Sequence, residues 1–118
     1  MTKRFELKAE YLDKWIAQLR SPNAEKVTSF YLDRGMSETD KQYVDRVTAC
    51  NQPVCGCALG QFAAVNPEAA FDDMGIIYFA KHRSIPNEVR EQVIRMNDWQ
   101  DKTFLEIADW LEANVERV

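Results

Sequence analysis

The stretch NQPVCGCALGQFAAV, residues 51–65, decides how this chain is read. With Cys50 just before it, the segment holds all three cysteines of the sequence. It is therefore either a seat of thiol chemistry or a packed helix. Pro53 suits the first turn of a helix, and Asn66-Pro67 suits its end. Val54, Ala58, Phe62 and Val65 form an apolar stripe flanked by Leu59. Gly56, Gly60 and Ala64 recur at helical spacing and leave one side nearly bare. A glycine inside a helix costs about 1 kcal/mol relative to alanine, so two imply the close approach of another element. Free cysteine behaves as a small, commonly buried hydrophobe. The spacing predicts a core helix opening at Pro53, with Gly56, Cys57, Gly60 and Phe62 in the structural core.

The competing readings are chemical. A structural zinc site needs four soft ligands at paired spacings, whereas Cys50, Cys55 and Cys57 have only His82 to join them. On a helix Cys55 and Cys57 point about 200° apart, so no metal and no cofactor are expected. A Cys-x-x-Cys redox pair is absent. A nucleophile needs a base, and Cys55 with His82 and Asp72 or Asp73 would be the candidate set. The loop that begins at Asp98 fails as a calcium loop, with Lys102 fifth, Thr103 sixth and Asp109 twelfth.

Outward from this segment the pattern is mostly helical. Phe5, Leu12, Trp15, Ile16 and Leu19 mark a first helix stopped by Ser21-Pro22. Residues 24–34 fit a helix or a strand equally well. Ser37-Glu-Thr-Asp40 reads as a capping box for a helix carrying Tyr43, Val44 and Val47. GIIYFA, residues 75–80, reads as a strand. Ser84-Ile85-Pro86 opens a helix with Val89, Val93 and Met96 on its face, closed by Asn97 in a left-handed conformation. Thr103 and Glu106 box the last helix, whose stripe is Phe104, Ile107, Ala108, Leu111 and Val115. Phe104, Ile107 and Leu111 join the expected core. The fold class predicted is mainly α, a small α+β domain spanning residues 1–118, with about four to five helices and one or two short strands.

Composition bounds the function. The chain has 118 residues, 46% hydrophobic and 29% charged, with a net charge of −4. That balance gives no electrostatic reason to expect nucleic acid or a membrane as partner. The charged start, Met1-Thr2-Lys3-Arg4, has no apolar signal region, and free cysteines suit a reducing compartment. The expected location is the cytoplasm of a bacterial or infected cell.

Three segments, KWIAQLRS (14–21), CALGQFAAV (57–65) and IPNEVREQVIRMNDWQDKTFLEIADWLE (85–112), occur in that order. In them the chain resembles a family of small uncharacterised bacteriophage and bacterial proteins. Its members carry a Cys-Cys-Leu-Gly-Val-Leu helix and end in Leu-Asn-Asp…Phe…Ile-Ala-Asp-Trp-Ile-Glu. Ala58 replaces the second cysteine and Gln61 the valine, so any site needing adjacent cysteines is lost here. The resemblance implies a phage or prophage origin and brings no activity.

The function expected is binding of a protein partner, such as a host or defence factor. Trp110 would be the anchor, with Glu106, Asp109 and Glu112 around it, because tryptophan is enriched at hot spots. One alternative is a small enzyme or nucleotide-like ligand binder with a pocket near Cys55 and His82. Another is a structural protein, a homodimer through the tryptophan-bearing helices.

Overall fold

The computed structural model describes residues 3–79 and 85–118. His82 and the end of the GIIYFA run lie outside the described residues. The decisive segment does two things rather than one. Val54–Gly56 is a strand (β3), and only from Ala58 to Val65 is the chain helical (α3). The helix does not open at Pro53 because the Val54 N–H donates to the Asn23 carbonyl at 2.8 Å. That bond draws β3 alongside Ala24–Lys26 (β2) in a parallel pair, Ala24 opposite Val54 and Lys26 opposite Gly56. Residues 24–34, ambiguous in sequence, are thus a strand followed by irregular chain.

The other elements gather around α3. In Ala9–Leu19 (α1), Leu12, Trp15, Ile16 and Leu19 are buried. The Trp15 ring meets Phe62 edge-on at 5.1 Å, and its Nε1–H donates to the Ala58 carbonyl at 2.8 Å. Phe5 is not part of that helix. It lies in Phe5–Leu7 (β1), which pairs in parallel with Val115–Arg117 (β4). Asp40–Ala49 (α2) buries Tyr43, Val44 and Val47. Its capping box is Thr39 with Gln42, two residues later than the one read at Ser37, because Asp40 is engaged elsewhere. The Asp40 carboxylate accepts from Arg34 Nε at 2.7 Å and from the Ile77 N–H at 2.9 Å. That bond holds Ile77 in a single bridge to Phe71, so the expected GIIYFA strand does not form among the described residues.

A short helix, Pro67–Ala70 (α4), follows α3. Asn87–Ile94 (α5) does not stop at Asn97 but runs on through a π-helical turn, Arg95–Trp99. The wider turn admits an extra residue and re-aims those after it, which carries Met96 and Asn97 inward. The left-handed residue is Asp101, at φ 49°. Phe104–Asn114 (α6) keeps its predicted Thr103–Glu106 box, and Val115 leaves it for β4. The described residues thus form six α-helices and four three-residue strands in two small sheets, the small α+β domain expected. No helix among them is long and apolar enough to cross a membrane.

Candidate functional site

The bare side of the glycine segment is where the chain comes closest to itself. A Cβ on Gly60 would overlap the Tyr31 carbonyl oxygen and lie 2.7 Å from its carbon; one on Gly56 would meet the same oxygen. Without those side chains, the Phe30 and Tyr31 carbonyls both reach the Cys57 N–H at 3.1 Å. Asp33 N–H donates to the Cys55 carbonyl, and Val27 N–H to that of Gly56. Residues 27–33 are therefore strapped across β3 and the start of α3.

Asn97, 1% exposed, ties the same region from the other side. Its Oδ1 accepts the first free N–H of α3, that of Ala58, at 3.1 Å. Its Nδ2 donates to the Val27 carbonyl at 3.1 Å and to Asp98 Oδ1 at 2.7 Å. Asp98 in turn accepts from the Ser29 N–H at 3.1 Å. An orphan helix N–H is normally satisfied by a local cap; here the cap comes from a distant π turn.

Between strap and π turn lies a cleft of about 210 Å³, lined by Ser29, Phe30, Tyr31, Cys57, Ile94 and Asp98. Phe30 is 64% exposed and Tyr31 41%, and Trp99, next to Asp98, is 82% exposed. The buried Cys57 thiol forms part of the floor. Burial pushes its pKa up to about 11, partly opposed by the N–H groups of Gly60 and Leu59, neither of which closes a capping bond. Burial also raises the Tyr31 hydroxyl, reinforced by Cys57 and opposed by Arg90. A thiol protonated at neutral pH is a poor nucleophile, so the cleft is suited to holding a group rather than attacking one.

The residues singled out in sequence are dispersed. Gly56, Cys57, Gly60, Phe62, Phe104, Ile107 and Leu111 are buried. Trp110 is half-buried, its ring 6.2 Å from that of Phe5. Asp109 pairs with Arg20 at 3.1 Å and Glu112 with Arg117 at 2.7 Å. Glu106 accepts the Thr103 N–H, a bond that holds its carboxyl below the usual range. Cys55 is half-buried with Sγ 3.5 Å from a Glu25 oxygen, and burial raises its pKa. Asp72 bonds the Met74 and Ile76 N–H groups of its own turn, and Asp73 is exposed. Among the described residues no group of His, Cys, Asp and Glu is placed to hold a metal ion.

The aromatic rim was not singled out in sequence. Its one signal was Trp99 standing in a run of polar residues, where burial has no use for it. No protein-family model, curated protein or solved structure matches this chain.

Proposed function

We propose that this chain works by binding a protein partner, one of whose apolar side chains enters the cleft between Phe30, Tyr31 and Ile94. The carrying observation is the exposure of Phe30 and Tyr31 at a recess whose walls are held by backbone hydrogen bonds, with the exposed Trp99 next in sequence to Asp98 of its lining. Large rings beside a pocket that needs no rearrangement are what interface hot spots are made of. This reading moves the anchor from Trp110 to Trp99. Phe5 already covers part of Trp110, and Arg20 and Arg117 answer Asp109 and Glu112. The resemblance in sequence supports a phage or prophage protein acting inside a bacterial cell on a host or defence factor. The enzyme alternative rested on Cys55, whose thiol burial pushes up and so away from the thiolate, and on His82, which lies outside the described residues.

Affinity capture from bacterial lysate tests the assignment, with light scattering to detect self-association as a homodimer. Phe30→Ala and Trp99→Ala are expected to lose the captured protein at an unchanged melting midpoint. Trp110→Ala is expected to keep it while melting several degrees lower. Capture that survives both rim substitutions overturns the assignment.

A further inference from the structure

A second recess lies at the opposite end of α3, and it has a different chemistry. It is a groove of about 260 Å³ lined by Gln18, Asn23, Thr48, Asn51, Gln52, Val54, Ala64 and Val65. Among the described residues no Asp, Glu, Lys or Arg lines it, although such residues make up 29% of the chain. Val54, Ala64 and Val65 give it an apolar floor, and four carboxamides and a hydroxyl form its rim. Among the described residues no hydrogen bond occupies the side chains of Asn23, Thr48, Asn51 or Gln52. Gln18 spends its Nε2 on Gln61 Oε1 at 2.8 Å, which leaves its own Oε1 as an acceptor. Gln61 is fixed in turn by donating to the Val54 carbonyl at 2.8 Å.

We propose that this groove binds an uncharged, polyhydroxylated ring, a ligand of the saccharide class. Elimination leads there. A charged ligand would give up hydration without meeting a counter-charge, which is costly. A wholly apolar one would strip water from the carboxamides and return no hydrogen bonds. A flat nucleobase is held by stacking on aromatic rings, and among the described residues none lines the groove. A sugar ring offers a C–H face to the valine and alanine floor. Its hydroxyls each donate and accept, as the rim carboxamides do. The volume lies just below the range of roughly 300–1,000 Å³ usual for drug-sized ligands, which suits a single ring.

The experiment is a titration of the full chain followed by two-dimensional amide NMR, in which side-chain NH₂ groups give their own signals. The probes are glucose, galactose and N-acetylglucosamine, with glucuronate and glucosamine as charged counterparts. At least one neutral sugar is expected to shift the side-chain signals of Asn23, Asn51 and Gln52 saturably, in about the millimolar range. Its charged counterparts are expected to bind at least about tenfold more weakly. Gln52→Ala and Asn23→Ala should each weaken binding several-fold at an unchanged melting midpoint, whereas Trp99→Ala should leave it intact. No saturable shift of the groove carboxamides with any neutral sugar overturns the proposal. So does equal binding of the charged counterparts, or binding indifferent to Gln52→Ala and Asn23→Ala. Because the groove and the aromatic cleft share no lining residue among the described residues, failure at either leaves the other standing.

Discussion

The two ends of α3 face recesses of opposite character. At its N-terminal end the backbone is tied down by distant segments: the strap carbonyls hold the Cys57 N–H, and Asn97 caps Ala58. The recess there is walled by aromatic rings and a protonated thiol. At its C-terminal end the helix offers only Ala64 and Val65, and of the polar side chains opposite Gln18 alone spends a hydrogen bond among the described residues. The difference separates what holds the fold from what is left free to bind. Where the backbone is closely interlocked, the side chains can turn outward as rings. Where the side chains are not needed to hold the fold, neutral carboxamides can face water at no cost to the core.

Substitutions should reproduce that asymmetry. The largest effect belongs to Gly60→Ala, because its methyl would displace the Tyr31 carbonyl and with it the strap. We expect a loss of more than about 3 kcal/mol, or failure to fold, read by thermal melting. An unchanged midpoint would mean the strap is not clamped. Next comes Asn97→Leu, which leaves the buried Ala58 N–H and the part-buried Val27 carbonyl without this partner. It should cost about 3 kcal/mol, with hydrogen exchange fastest at the start of α3.

The Cys57 thiol gives a pH dependence of known sign. Its folded pKa, about 11, exceeds the ordinary 9.0, so the unfolded chain ionises first. Stability from this group is complete below pH 9 and is lost as pH rises from about 9 to 11, to an extent of about 3 kcal/mol. Cys57→Ala should flatten that fall in alkaline melts, and alkylation in the native state should take the exposed Cys50 and spare Cys57. The smallest effect belongs to the groove end. Thr48→Ala should leave stability within about 0.5 kcal/mol. A drop comparable to that of Asn97→Leu would break the contrast between the two ends.

The parts of this arrangement legible in sequence are those governed by local chemistry. The α6 box at Thr103 and Glu106 and the apolar faces of α1 and α2 follow from side-chain spacing alone. The bare side of α3 was legible too, since glycine at helical spacing implies a close neighbour. What was not legible depends on distant partners. Nothing near Val54 announces a bond to the Asn23 carbonyl, so strand β3 read as helix. Asn97 read as a left-handed helix stop because carboxamides favour that place, but a π turn carried it into the core and Asp101 took the positive φ. The exposed rim was missed for the converse reason: apolar residues are assigned to the interior by default, and only the folded chain shows which ones the interior has no room for.

The pairing of β1 with β4 bears on how the chain comes into being. Phe5 lies opposite Val115, so this short sheet closes a loop made of nearly every residue between them. Closing so long a loop has an entropic cost that local contacts do not carry. During synthesis β1 emerges well before its partner strand, and by the time β4 appears α1 and α3 have both left the ribosome and can pack around Trp15. Strand β1 therefore waits unpaired until β4 emerges, and the two dock only after the helices between them have had time to form.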